Sequence, residues 1–178
     1  SIMHNHYVSK KIPLPFQHSI TRGQSFQLGP FDITSFGVPH DSADNNGYLL
    51  RVEGKCFVLL TDVGHFTEEM PTIIQQATHL VIESNYDEAM LRSGHYPLRL
   101  QKRISSPNGH ISNAETAAFL AQNLNKDLIQ KVWLCHLSAE NNLPRIAYDT
   151  CSKALTEAGF VLEGEGKNLD LQVLARRT

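Results

Sequence analysis

Apolar and polar positions alternate in short runs through the first third of the chain, then settle into longer blocks. Ser25-Phe26-Gln27-Leu28 alternates and stops at Gly29-Pro30, a turn signal. Phe31 to Phe36 alternates again, with Phe31, Ile33 and Ser35 on one face. Tyr48–Val52 and Cys56–Leu60 flank Glu53-Gly54-Lys55 and read as a β-hairpin. The second of these strands is apolar throughout, which predicts burial on both faces. Helix and strand signals then alternate. A helix is predicted over 67–76, with Thr67 as N-cap and Glu68-Glu69 in its first turn. Leu80-Val81-Ile82 and Val132–Cys135 read as buried strands. Ser112-Asn113-Ala114-Glu115 is a capping box that opens a helix to about Asn123. A further helix runs from Pro144 to Ala158, stopped by Gly159, and 169–174 reads as a closing strand. Residues 1–23 are irregular, because Pro13 and Pro15 oppose both helix and central strand. Hairpins followed by β-α-β-α-β predict an α/β fold with a mixed sheet and helices on at least one face.

Composition narrows this picture. The chain has 178 residues, 41% hydrophobic and 19% charged, with net charge -2, which suits one globular domain without a global basic excess. No apolar run approaches the roughly 18 residues that would span a membrane, and the N-terminus has no signal-peptide pattern. Three cysteines, Cys56, Cys135 and Cys151, with no CxxC, exclude a disulfide scaffold and fit a cytoplasmic setting. All three read as core residues. Nine histidines direct attention to metal and acid–base chemistry.

Three metal-competent residues fall just past the carboxyl ends of predicted strands: His40, Asp62 and His136. Ligands gather at that edge of α/β sheets. Two imidazoles and a carboxylate suit zinc, manganese or iron. Each residue also has a plainer reading, as a hydrogen-bonded structural histidine or a turn aspartate; the coincidence of all three points to a metal site. Asp41 and Asp44 sit in the same loop as His40 and could orient its imidazole. His110 precedes the capped helix, where a side chain could donate a proton to a leaving group or simply pack the helix end. Glu83-Ser84-Asn85 follows another strand end and faces the same rim.

Five segments together resemble the metallo-β-lactamase fold hydrolases, and within them the exonuclease-like branch called YycJ, WalJ or VicX. They are Val38–Asp44, Leu60–Gly64, Ile82–Asp87, Gly109–Asn113 and Cys135–Ser138, in family order from about residue 24 onward. The resemblance implies an αββα sandwich. It implies that His40 ligates a first metal, that Asp62 bridges two and serves catalysis, and that His136 ligates the second. His110 falls in a segment resembling the one ribonuclease Z uses near the scissile phosphate, and is a candidate catalytic proton donor. Asn85 and Asp87 fall in a family-like segment and are carried as substrate-binding candidates. The family's chemistry is attack of metal-activated water in a dinuclear site.

The defining His-x-His-x-Asp-His motif is absent. His4-Asn5-His6 is followed by Tyr7-Val8, and both histidines read as loop residues. The chain therefore reads as a single partial domain, 1–178, resembling the C-terminal two-thirds of a family member, whether truncated, proteolysed or separately encoded. An incomplete sandwich is expected to expose an apolar sheet face and to form a homo-oligomer or bind the missing N-terminal half. Arg92, Arg99, Lys102 and Arg103, with Tyr96 among them, could contact a phosphodiester backbone or be a solvated helical face. The expected function is a metal-dependent phosphodiesterase, a DNA exonuclease in its complete form, using zinc or manganese. This chain alone is expected to be weakly active or inactive. The alternatives are a hydrolase of another ester, thioester or lactam on the same scaffold, and an inactive half-domain with an assembly or regulatory role.

Overall fold

The computed structural model describes residues 11–13, 15 and 19–174. His4 and His6, and much of the segment expected to be irregular, lie outside them. The described chain forms seven strands and five helices: β1 (Ser25–Leu28), β2 (Phe31–Gly37), β3 (Asn46–Val52), β4 (Lys55–Leu60), α1 (Met70–Ile74), β5 (His79–Glu83), α2 (Glu88–Ser93), α3 (Leu98–Ile104), α4 (Asn113–Asn123), β6 (Lys131–Cys135), α5 (Pro144–Glu157) and β7 (Asp170–Val173). The strands make one sheet in the order β1-β2-β3-β4-β5-β6-β7. Neighbours are antiparallel from β1 to β4 and parallel from β4 to β7. The β3–β4 hairpin turns on Glu53 and Gly54, both at positive φ, the geometry that matches the twist of two strands joined by two residues.

One face of the sheet carries the core. Val58, Leu60, Leu80, Ile82, Val132 and Leu134 are fully buried there and share a cluster with Met70, Ile74, Leu120, Cys151 and Leu155 from the helices. The opposite face is only partly covered. Register aligns Tyr48, Leu59, Val81 and Trp133 in a row across four strands. Leu59 is 38% exposed, and Tyr48, Val81 and Trp133 are half-buried. The expectation that β4 is buried on both faces is thus corrected: its side chains alternate between core and open surface. A run of apolar residues cannot by itself distinguish these cases, since the pleat alternates whatever the sequence says.

Two further differences concern helices. The helix expected over 67–76 is shorter: α1 begins at Met70 after Glu69, with no side-chain cap. Thr67 does not cap it; its carbonyl accepts the Met70 N–H at 3.2 Å and its hydroxyl is buried without a partner. Pro71 explains the start, since a residue without an N–H belongs in the first turn. The basic segment whose plainer reading was a solvated helical face is helical, but it is divided into two short helices, α2 and α3. Asp87 caps α2 by accepting the Met90 N–H at 2.9 Å, and α3 follows Pro97. Neither is long enough to display an apolar stripe. The capping box at α4 is present in both directions, Ser112 to the Glu115 N–H and Glu115 to the Ser112 N–H. No helix among the described residues is long and apolar enough to cross a membrane.

Candidate metal centre

Parallel strands end on the same edge, so β4, β5 and β6 deliver Asp62, Glu83 and His136 to one rim. Asp62 and His136 both leave their strands at positive φ, +55° and +56°. The β2–β3 loop brings His40 alongside, and the loop before α4 brings His110. Asp62, Glu83, His110 and His136 each offer one ligand atom, all within 4.8 Å of one another. His40 stands at their edge: its Nε2 lies 3.7 Å from Asp62 Oδ1, and its ring is 4.9 Å from that of His110.

Hydrogen bonds orient the three imidazoles alike. His40 Nδ1 lies 2.8 Å from the Gly109 carbonyl oxygen, His110 Nδ1 lies 2.7 Å from Glu83 Oε1, and His136 Nδ1 lies 3.2 Å from Glu83 Oε2. Each acceptor fixes an Nδ1–H tautomer and leaves Nε2 as the outward nitrogen, the usual arrangement behind a metal-binding histidine. His136 Nε2 then faces Asp62 Oδ1 at 3.6 Å.

Glu83 is the hub and is fully buried. It also accepts the Val63 N–H at 3.0 Å, which ties the β4 turn to β5. Burial pushes its pKa upward, but hydrogen bonds from His110 and His136 outweigh this and hold the carboxyl below the ordinary range. The same Glu83 contact raises His136 above the ordinary imidazole value, against the effect of burial. Cys135 is pushed up to about 12 by burial and the nearby carboxylates, which leaves an inert thiol. Sequence reasoning placed Glu83 on this rim without giving it a role. The available signal was a carboxylate ending an otherwise apolar strand.

The remaining expected site residues lie around this cluster. Asn85 is buried, and its amide donates to the His136 carbonyl at 2.7 Å. Asp87 caps α2. Arg103 Nε donates to Asp41 Oδ2 at 2.6 Å, beside His40, and holds the Asp41 carboxyl below its ordinary pKa. Arg92 pairs with Glu88 at 3.4 Å across one helical turn, and Arg99 is exposed. Lys102 and Arg92 border a groove of about 440 Å³, with Tyr86, Leu91, Leu98 and Gln101.

The Asp62 carboxylate and three imidazoles thus gather at one rim, with Glu83 holding His110 and His136 from behind, a donor set suited to a borderline divalent cation. Known proteins share this framework. The family model described as the β-lactamase superfamily domain matches residues 4–136, well over half of the chain. Exodeoxyribonuclease WalJ of Streptococcus pneumoniae serotype 2 (strain D39 / NCTC 7466) is 37% identical over 156 residues, covering 88% of this chain and 58% of that protein. Exodeoxyribonuclease YycJ of Bacillus anthracis is 34% identical over 149 residues, covering 84% of this chain and 56% of that protein. The chain spans a little over half the length of these curated relatives. Among solved structures, the metallo-β-lactamase fold protein YhfI from Bacillus subtilis aligns with a TM-score of 0.61 at 12% identity, over 87% of this chain and 50% of that one. Zn(2+)-bound PqqB from Methylobacterium extorquens aligns with a TM-score of 0.58 at 18% identity, over 88% and 53%. At these identities the structural likeness is one of fold.

Proposed function

Because this chain belongs to the β-lactamase superfamily and has the metallo-β-lactamase fold, we propose that it carries part of the catalytic rim of a divalent-metal-dependent DNA exonuclease. The observation that carries this reading is the convergence of Asp62, Glu83, His110 and His136 within 4.8 Å, with His40 beside them. The donors fit a metal: the outward Nε2 atoms of His40 and His136 face the Asp62 carboxylate from 3.7 and 3.6 Å. In this reading Asp62, His136 and His40 hold the metal, zinc or manganese, and Glu83 orients His136 from behind. Such a cation supplies Lewis acidity toward a phosphoryl oxygen and a water nucleophile at neutral pH. With its Nδ1–H held by Glu83, His110 would act as the acid in its doubly protonated form, passing the Nε2 proton to the departing oxygen of the cleaved strand and returning to the Nδ1–H tautomer. Arg99 and Lys102 would meet backbone phosphates, Arg92 would do so by exchanging its Glu88 partner, and Arg103 joins them while holding Asp41. Asn85 and Asp87 serve the substrate side by shaping the loop after β5. The relatives' names support DNA as the substrate. The three buried, unbridged cysteines fit a reducing, cytoplasmic setting.

The test is elemental mass spectrometry on this chain, purified without chelator, followed by an assay on end-labelled DNA with added Mn²⁺ or Zn²⁺. The expected result is metal retained by the wild type and lost in His136→Ala, with weak shortening of DNA from an end. His110→Ala is expected to keep its metal and to lose cleavage by roughly 100-fold or more. Absence of both metal and cleavage in the wild type rejects the reading. Cleavage of a thioester but not of DNA moves the chain to another substrate class.

A further inference from the structure

Asp62 and His136 share a backbone feature that their side chains do not explain. Both have left-handed φ, and among the described residues Glu53 in the hairpin turn is the only other residue besides glycine that does. Such a conformation is strained in a residue with a side chain, and it persists only where the surroundings over-determine it. The two sites are over-determined in the same way. The Asp62 carbonyl accepts from Asn45 Nδ2 at 2.7 Å, and the same amide reaches the Thr61 carbonyl at 3.3 Å. The His136 carbonyl accepts from Asn85 Nδ2 at 2.7 Å. The two asparagines come from different parts of the chain, the β2–β3 loop and the loop after β5.

Each asparagine is itself anchored. The Asn45 carbonyl accepts from the Val38 N–H at 3.2 Å and from the Arg22 guanidinium at 3.0 Å. The Asn85 N–H donates to the Ile111 carbonyl at 3.1 Å, and its own carbonyl accepts from the Ser138 N–H at 2.7 Å and from Asn142 Nδ2 at 3.0 Å. Asn142 is fully buried and bonds Asn113 at 2.9 Å. The donors therefore end a framework of held groups.

We infer that Asn45 and Asn85 are positioning residues: each clamps the carbonyl of a left-handed strand-end residue, and thereby aims the Asp62 carboxylate and the His136 imidazole at one point. The reference to a metal rests on the reading of Asp62 and His136 as ligands; the backbone clamp does not. At a strand end the following peptide swings with ψ, so a fixed carbonyl fixes where the chain and the side chain turn. Neither asparagine needs to touch metal or substrate.

The test uses Asn45→Leu and Asn85→Leu, which keep the size and remove the donor, with Asn45→Ser and Asn85→Ser as milder counterparts. The first readout is made on metal-free protein. NMR couplings between amide and α protons, with Cα and Cβ shifts, report the sign of φ at residues 62 and 136. Asn45→Leu is expected to lose the left-handed signature at Asp62 and keep it at His136; Asn85→Leu is expected to do the converse. A general loosening of the fold moves both together. The second readout is zinc affinity by competition with a chromophoric chelator. It is expected to fall about tenfold to 100-fold in each leucine variant, with serine intermediate. Left-handed signatures that survive in both leucine variants overturn the inference, as does unchanged zinc affinity where a signature is lost. Should the wild type bind no zinc, the proposed function fails while the NMR readout still decides the clamp. Should a leucine variant fail to fold, its serine counterpart supplies the same residue-specific comparison.

Discussion

Glu83 sits on the rim without access to water, with His110 Nδ1 on one carboxylate oxygen and His136 Nδ1 and the Val63 N–H on the other. Its lowered pKa contributes stability that is present above the ordinary carboxylate range and lost as pH falls through the lowered value. The raised His136 pKa contributes stability that is present below the ordinary imidazole value, about 6.5, and lost as pH rises through the raised one. The metal-free chain is therefore expected to be most stable between about pH 5 and 6.5, falling on both sides. Glu83→Gln is expected to lower stability in that window by about 1–3 kcal/mol and to flatten the fall on the alkaline side, read as the unfolding midpoint against pH. An unchanged alkaline limb in the variant assigns that limb to other groups. His40, Asp62, His110 and His136 stand out in the sequence because each follows a strand or precedes a helix cap. The role of Glu83 is not legible there, because it depends on two histidines 27 and 53 positions later that only the fold brings near.

Between β5 and α4 the chain makes two short helices and a tight turn. The turn closes where the His110 N–H donates to the Ile104 carbonyl at 2.7 Å. Gly109 lies inside it, and a β-carbon there would run into the carbonyls of Arg103 and Ile104. Its own carbonyl is the acceptor for His40 Nδ1. Gly109→Ala is expected to cost about 1–3 kcal/mol by forced backbone displacement, measured by denaturant unfolding. It is also expected to weaken metal retention through His40, while Gly54→Asn, at an exposed hairpin turn, does neither. Ser112→Ala removes one half of the α4 capping box and is expected to cost about 1 kcal/mol in the same measurement. The capping box, the hairpin and α5 were readable because their signals are local: a polar cap, a turn pair, a proline and a glycine in sequence. The solvated helical face read over the basic segment was legible, but its division into α2 and α3 was not, because each is too short for periodicity and α3 buries no residue. The late start of the helix expected over 67–76 has its own cause, since Pro71, rather than Thr67, sets it.

The whole molecule presents a sheet with one finished face. Tyr48, Leu59, Val81 and Trp133 form a continuous row on the other, flanked by Phe57 and His79, whose rings stack at 4.5 Å. Apolar surface of this kind associates. The chain is expected to sediment as more than a monomer at micromolar concentration, and Leu59→Lys to shift it toward monomer while leaving the helix-covered core intact. A monomeric wild type would mean that this face is satisfied in another way. The strand order has a separate consequence, for assembly in time. Every strand pairs with the one made just before it, so the sheet can grow from one end as the chain emerges, without waiting for a distant partner. The antiparallel β1–β4 meander needs only short closures, whereas β5, β6 and β7 each wait for a helical crossover. Pulse-labelled hydrogen exchange during refolding is expected to protect β2–β4 amides first and β7 last. The rim is complete only once β6 has docked, so His136 arrives after the backbone beneath Asp62 has already been set.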